Sequence, residues 1–402
     1  MSTTLTVAEI TLDLLKSFVQ WIPGLQSMGT DFRASALKLD QTYTAHITTI
    51  PSVEDVSTTY AVTGQNARDL LVDVPVLVDK RQGSRLKWRH LDFLKDQQSK
   101  YQEAIGNAGY ALARSFIQDV ASKMLSRNFS QSSTVAEADS DVDMLISVTG
   151  AMNLVGASPM GRTFLVNTPV ANALSADSRI TSKDFLGQTP DGSSMRAFRN
   201  CYGFQNVLEW PELPLNNGTA LTGGAAEADD DLITISAHGL VTGDRVVLTA
   251  ITGGTGLTQG NTYYVIKVSA NTFKLATTQA NAAAGTGVNI STDGSSITVT
   301  PTENLTGFAF DRRAIAILAG YPDQADQEGL IQQLGIQKVM SFIPVTDPVS
   351  GLTMTAVTWQ DSGTGDLNFM PVLVWGSSLG RQSGASAAGT LTDYAGHRLI
   401  KA

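Results

Sequence analysis

Residues 101–125 read YQEAIGNAGYALARSFIQDVASKML. After Tyr101, the residues Ile105, Ala108, Leu112, Phe116, Val120 and Met124 recur every three or four positions, and Ala113, Ile117 and Ala121 widen the stripe. That period is the signature of a helix with one apolar face. The flanking pattern extends the expected helix to 92–127, roughly 50 Å at about 1.5 Å per residue. Gly106 and Gly109 each weaken it by up to about 1 kcal/mol relative to alanine. A buried large apolar side chain contributes on the order of 1.5–3 kcal/mol, so packing wins. A helix of that length exceeds what a compact domain needs, and a spine is expected.

Upstream, residues 6–21 read as a short amphipathic helix with Ile10, Leu14, Phe18 and Trp21 on one face, stopped by Pro23-Gly24. Such a helix packs on a neighbour in its own chain or in another subunit. The period then changes. Tyr43, Ala45 and Ile47 alternate with Thr44, His46 and Thr48; Val74, Val76 and Val78 share one face of a second run in which Pro75 marks an edge strand. Leu86 and Trp88 follow the turn-like residues 79–84, so a hairpin is expected between the second run and these residues. The region reads as a long β-arm with little core of its own, and an isolated two-stranded ribbon is marginal.

Downstream, 142–154 is a helix candidate, 162–167 a short strand, and Thr168-Pro169 opens a further helix with proline in its first turn. This is one strand–helix alternation, not a βαβ series with a phosphate loop. Residues 216–300 differ in kind. After the acidic cluster Glu227, Asp229, Asp230 and Asp231, short β-runs centred on 232–235, 245–248, 263–266, 272–275 and 296–299 alternate with turn-like segments. That pattern predicts a small all-β module inserted between Pro214 and Pro301.

Composition narrows the function. Only 16% of the 402 residues are charged, which leaves ample uncharged surface for protein contact. A net charge of −9 argues against a dedicated nucleic-acid binder. The single cysteine, Cys201, excludes an intrachain disulfide framework and a multi-thiolate zinc site. Residues 1–6 carry no Lys or Arg, so no secretory signal is expected, and no apolar run is long enough to expect a membrane span.

The ordered set of elements resembles the HK-ninety-seven-like major capsid proteins of tailed bacteriophages. Val76-Leu77-Val78-Asp79-Lys80 leading to Leu86-Lys87-Trp88 looks like the family's extended-loop hairpin, and 101–125 looks like its spine helix. Gly203-Phe204-Gln205-Asn206-Val207-Leu208-Glu209 with Leu213-Pro214 resembles the strand returning from the axial domain. Residues 308–316 resemble the re-entry segment, and Val372-Leu373-Val374-Trp375-Gly376 the last peripheral strand. The likeness is greatest to short-tailed-phage coat proteins with an inserted β domain, through Phe164-Leu165-Val166-Asn167-Thr168-Pro169 and Asp184-Phe185-Leu186-Gly187. No single motif is diagnostic; the order is.

The resemblance implies an α+β capsid fold: an N-terminal arm (1–42), an extended β-loop (43–90), a spine helix with peripheral domain (91–130), a first axial part (131–215), an inserted all-β domain (216–300), an axial return (301–345), and peripheral strands with a C-terminal tail (346–402). It implies a shell subunit that self-assembles through pentamers and hexamers into an icosahedral head enclosing the DNA. Its expected partners are further copies of itself, scaffolding and portal proteins, decoration proteins, and packaged DNA held without sequence-specific binding. The expected location is the virion, after synthesis in the bacterial host cytoplasm, with no membrane, no cofactor, no metal and no enzymatic activity. Residues expected at subunit contacts are Lys80, Arg81, Arg85 and Lys87 around the hairpin, with Phe18 and Trp21 on the arm. The alternative is another virion protein or an adhesin using the β module for a receptor or glycan.

Chemical motifs are weak beside this. Gly376-Ser377-Ser378-Leu379-Gly380 follows an apolar strand and matches a nucleophile elbow, with Asp393 and His397 in hydrolase order. An elbow needs a helix immediately after it, and 381–389 is rich in Gly, Ser and Ala. Asp139, Asp141 and Asp143 mimic a calcium loop, but Met144 stands where glycine is needed and Gly150 where the bidentate glutamate is needed. An acidic helix N-terminus explains them better. His46, His90, His238 and His397 show no ligand spacing.

Overall fold

The apolar stripe does form a long helix. The computed structural model describes residues 7–20, 28–48, 71–88, 98–129, 131–154, 157, 161–181, 197–210, 213, 218–333, 339–348, 350–360, 366–380 and 396–401. The chain divides into two units: Met1–Val120 with Ile315–Arg381, and Ala121–Ala314 with Gln382–Ala402.

The first unit opens with helix α1 (Val7–Gln20) and strands β1 (Gly29–Leu37), β2 (Gln41–Thr48), β3 (Leu71–Val78), β4 (Lys80–Gly83) and β5 (Leu86–Trp88). Helix α2 (Gln98–Ala121) follows. Its 24 residues span about 36 Å. It ends earlier than the stripe suggests because the backbone turns over at once, with Met124 N–H donating to the Ala121 carbonyl at 3.0 Å. Ile105, Ala108, Leu112, Ala113, Phe116, Ile117 and Val120 are buried. A Cβ on Gly109 would stand 3.0 Å from the Leu14 carbonyl oxygen and 3.1 Å from Ser17 Cβ, so the glycine that weakens the helix is where α1 meets it.

In the second unit come β6 (Ser132–Val135), α3 (Val142–Leu154), β7 (Thr163–Val166), α4 (Thr168–Ala176), α5 (Ser178–Thr181), β8 (Ala197–Cys201) and β9 (Phe204–Glu209). Asn167 caps α4, its side chain accepting from Val170 N–H at 3.1 Å. Then β10 (Leu221–Glu227), β11 (Leu232–Thr234), β12 (Arg245–Gly253), β13 (Thr262–Lys267), β14 (Thr272–Ala276) and β15 (Gly294–Pro301) close into a barrel in the order β10-β11-β14-β13-β12-β15, with the short helix α6 (Gln279–Ala283) between β14 and β15. Alternation along these strands sends Ile233, Val246, Leu248, Val265, Phe273, Leu275, Ile297 and Val299 inward. Closure leaves the barrel no free edge.

Strand β16 (Leu305–Phe310) completes the step back to the second unit's open sheet. The chain then re-enters the first unit as β17 (Ile315–Pro322), α7 (Gln324–Gln333), β18 (Val339–Thr346), β19 (Thr353–Gln360) and β20 (Leu367–Leu379), and returns to the second as β21 (Gly396–Lys401). The open sheet of the second unit runs β6-β21-β16-β7-β9-β8. That of the first runs β1-β17-β20-β19-β18, with β4 and β5 also paired to β20. The boundary expected at 345/346 is therefore not where the chain changes unit. Residues 315–322 already pair with β20, and 396–401 leave the first unit again.

Two further expectations are corrected. The predicted hairpin between 74–78 and 86–88 does not form. β3 pairs antiparallel with β2 over eight residues, from Gln41↔Val78 to Thr48↔Leu71, while β4 and β5 both pair with β20. Of the turn-like residues 79–84, Lys80–Gly83 form β4 itself, and 84–85 carry the chain on to β5 along the same partner strand. The two apolar runs pair instead because both alternate with period two, and lengthening the connection (49–70) costs little loop entropy. Nor does the described part of the arm lack a core. Ala45, Val74, Val76 and Val78 pack with Leu37, Ala316, Leu318 and Val374 of the same unit. The ribbon lies so close that a Cβ on Gly376 would collide with the carbonyl of Leu77.

The second unit holds a buried charged junction. Arg398 on β21 is fully buried and donates to Glu303 Oε2 at 2.8 Å and, through Nε, to the Phe129 carbonyl at 2.8 Å. Ser126 N–H donates to Glu303 at 3.1 Å, and its hydroxyl lies 2.8 Å from the Gly243 carbonyl. Gln279 on α6 donates to the Ser126 carbonyl, and Arg127 pairs with Asp244 at 3.0 Å. The turn after α2, the strand after the barrel, the last strand and one end of the barrel are thus joined by polar bonds. Burial pushes the Glu303 carboxyl up despite the opposing pull of Arg398.

Two outcomes follow for stability. Gly376→Val should lower the denaturation midpoint, by about 1–3 kcal/mol for overpacking. Gly106→Ala, with nothing within 4 Å of the new Cβ, should raise it by up to about 1 kcal/mol; equal effects in urea titrations would contradict the ribbon crossing. Glu303→Ala should cost about 3–5 kcal/mol by stranding Arg398, whereas Glu303→Leu with Arg398→Met should recover most of it.

Candidate assembly surfaces

Of the six residues expected at subunit contacts, the five that are described do not form one surface. Phe18 is fully buried, edge-on to Phe116 at 5.9 Å between ring centres, and Phe116 in turn meets Trp375 at 5.5 Å. Ile10, Leu14 and Leu15 are buried with it, and α1 lies against β18 and β19. The helix is thus covered within its own unit rather than left for a neighbour. Trp21 lies outside the described residues.

The four basic residues are not at a hairpin tip. They line β4, β5 and their connection, along one edge of β20. Arg81 is nearly buried and pairs with Asp326 at 3.4 Å and with the Gln333 side chain at 2.9 Å. Arg85 donates to Asn368 Oδ1 at 2.9 and 3.1 Å and stacks over Trp359 at 5.1 Å. Lys80 and Lys87 are more exposed, held by Asp79 and Asp366, each at 3.0 Å. Salt bridges of this exposure contribute little to stability.

The chemical motifs resolve as structure. Ser378 lies inside β20 opposite Ala316, with no strand-to-helix turn to raise it. Its neighbour Ser377 donates to Asp119 at 2.9 Å, beside the Trp375 indole N–H at 3.3 Å. His397 belongs to the other unit, and Asp393 lies outside the described residues. Asp141 accepts from Met144 N–H at 3.1 Å at the start of α3. Arg179 binds Asp141, Asp143 and Asp177 at 3.0–3.1 Å, so these carboxylates answer to an arginine. Among the described residues no group of three His, Cys, Asp or Glu is placed to hold a metal ion, and no helix is long and apolar enough to cross a membrane. Cys201 is buried, and burial pushes its thiol up to about 11, which removes it as a nucleophile near neutral pH.

The exposed apolar side chains mark a surface that sequence reading missed. Among the described residues the large ones are Leu77 on the ribbon, Val241 and Val268 on the barrel, and Ile146, Leu154 and Tyr202 around α3. The signal was faint: between Asp143 and the end of α3 there is no charged residue, and the outward positions mix Ser147 and Asn153 with Ile146 and Leu154. The buried pair Glu303–Arg398 was also missed: Glu303 stands in the polar run Pro301-Thr302-Glu303-Asn304, and Arg398 stands between His397 and Lys401, so neither reads as a buried charge.

Among solved structures, the chain is similar to the capsid of Cyanophage P-SCSP1u (10% identity, 93% of this chain and 86% of that one, TM-score 0.41). It is also similar to the head structure of Helicobacter pylori bacteriophage KHP40 (11%, 94% and 88%, TM-score 0.39) and to a chain of Mycobacterium phage Che8 (13%, 95% and 90%, TM-score 0.38). No protein-family model and no curated protein matches.

One side chain sets a pH dependence. His397 is buried; burial first, and the adjacent Arg398 second, hold its imidazole down at about 4. In the unfolded chain it titrates near 6.5. Its contribution is therefore complete above about pH 6.5 and is lost as pH falls toward 4, by up to about 3 kcal/mol. Urea unfolding of the parent and of His397→Gln at pH 7 and 4.5 should show a smaller pH dependence in the variant; identical dependences would assign the acid lability elsewhere.

Proposed function

We propose that this chain is the major shell subunit of a tailed-phage head, with an HK-ninety-seven-like fold carrying an inserted β domain, assembling through pentamers and hexamers around packaged DNA. The observation that carries the reading is the order and division of the elements. A terminal helix, a two-stranded ribbon and a long spine helix precede a mixed second unit that includes a closed barrel; the chain then re-enters the first unit's sheet and returns to the second unit as β21. That is the order on which the resemblance of the sequence rests. It does not depend on any catalytic constellation.

On this reading the ribbon is the subunit's reach toward a neighbour. Its inner face is satisfied at home, and its outer face presents Thr42, Thr44, Pro75 and the half-exposed Leu77. Of the basic residues, Lys80 and Lys87 are the more exposed, each paired with a carboxylate of its own chain, while Arg81 and Arg85 brace β20. The buried junction of Ser126, Glu303, Arg398 and Gln279 favours a bracing role for the barrel within its subunit over that of a tethered adhesin. Scaffolding and portal proteins, and decoration proteins where a shell carries them, are the further partners this reading proposes. Closed symmetry limits its growth, and stability in the shell is collective because each copy binds only folded neighbours.

Expression of the chain, alone and with its phage's scaffolding protein, should give closed particles by electron microscopy and a fast-sedimenting boundary. A protein that stays monomeric under every assembly condition would overturn the reading.

A further inference from the structure

We propose that the gap between β6 and β16, which β21 fills, is a strand-binding site. It recognises the sequence Gly396-His397-Arg398-Leu399-Ile400-Lys401 as a separable ligand, and takes it from a free peptide as well as from its own chain. The gap belongs to the second unit alone, so the inference holds whether or not the chain forms a shell.

The walls of the gap are held by contacts that do not involve the strand. β16 pairs with β7, and β7 with β9, in a sheet made by residues between 163 and 310. On the other side β6 is held at both ends. Before it, Ser126 N–H donates to Glu303 at 3.1 Å and Arg127 pairs with Asp244 at 3.0 Å. After it, the Asn167 amide donates to the Glu137 carboxylate at 2.9 Å, and residues 137–139 lie against α4. The chain leaves this unit at Ala314 and comes back to it only with residues 382–402. β21 therefore enters a site whose two sides are already in place. A preorganised receptor of that kind costs least to fill, and strand addition is a recurring mode of peptide recognition.

Recognition is specific along the whole strand. β21 pairs antiparallel with β16, from Leu305↔Ile400 to Phe310↔Gly396, and parallel with β6, from Arg398↔Ser132 to Lys401↔Val135. Gly396 to Ile400 are all buried. Alternation puts Leu399 in the core that includes Val148 and Phe164. Arg398 points to the opposite face, where it meets Glu303 and the Phe129 carbonyl, each at 2.8 Å. A slip of one residue would exchange the two and drive the guanidinium into the apolar core. Nε2 of His397 lies 2.9 Å from the Ser133 hydroxyl, and the Lys401 ammonium 2.9 Å from Glu137. The first position has no room for a side chain. A Cβ on Gly396 would stand 2.7 Å from the Phe308 ring and 2.8 Å from that of Phe129, and those rings pack edge-on at 4.8 Å. These contacts are all made by 396–401, so recognition requires nothing of the link 381–395. Main-chain pairing supplies affinity, and the alternating side chains supply selectivity.

The test uses the full chain with a site for a sequence-specific protease placed within 381–395. After cleavage, the fragment carrying 396–402 should stay with the rest of the chain through gel filtration. A fluorescent peptide of residues 391–402 should then replace it in a one-to-one ratio. Peptides with Gly396→Val or Arg398→Met should bind at least about tenfold more weakly, the first by overpacking and the second by stranding Glu303. A cut chain with Glu303→Leu should reverse the second preference and take the Arg398→Met peptide better than the parent peptide. Loss of the cut fragment, or failure to take up the labelled peptide, would overturn the proposal. Equal uptake of the parent and both altered peptides would overturn it too, since that marks an unselective sheet edge. If the Glu303→Leu chain does not fold, the two altered peptides against the parent chain still decide the matter.

Discussion

No side chain can occupy position 376 while the ribbon lies where it does. The carbonyl of Leu77 takes that space, and Gly376 sits in the middle of β20, the strand to which most of the first unit is attached. The C-terminal half of β20 pairs with β17 and its N-terminal half with β19, while β4 and β5 share its other edge. Asp119 on α2 reaches the same strand through Trp375 and Ser377. Sheet, ribbon and spine helix are thus all fixed by one thirteen-residue strand. Its single missing Cβ lets backbone rest on side-chain-free backbone, and Val74, Val76 and Val78 then bury against the sheet.

Much of this was legible in the sequence, and the failures have physical causes. The apolar stripe of α2 was readable because a 3.6-residue period sustained over six turns has no rival explanation. The barrel strands were readable because period-two runs alternate with turn residues. Pairing was not. The segment 79–84 is a good turn signal, and nothing local says that Lys80–Gly83 is itself a strand paired to β20 rather than the tip of a hairpin. Periodicity likewise shows that Phe18 must be covered, but not by whose chain. The sequence Gly376-Ser377-Ser378-Leu379-Gly380 suggested chemistry because a motif records spacing; that the first glycine serves a crossing ribbon depends on residues some three hundred positions earlier.

The two units are stabilised by different means. The first packs its ribbon and sheet by apolar contact and also buries the carboxylates of Asp347 and Asp366. The second places a full ion pair, Arg398–Glu303, in its interior and surrounds it with backbone and amide partners. A buried pair of this kind adds little net stability over an apolar equivalent, yet losing one member is costly. It ties β21, the turn at Ser126 and the barrel end to one another.

The path of the chain between units bears on its synthesis. Neither unit is contiguous: the first lacks β17–β20 until residue 379 has been made, and the second lacks β21 until residue 401. Only the barrel, from Leu221 to Pro301, closes entirely within one stretch. On the ribosome it is the first body able to complete its hydrogen-bonding. The ribbon and spine meanwhile wait, with apolar faces uncovered, for strands some two hundred residues downstream. Non-local pairing of this kind is slow and prone to aggregation. The closed barrel, placed midway through translation, gives the nascent chain one folded, edge-free segment during that interval.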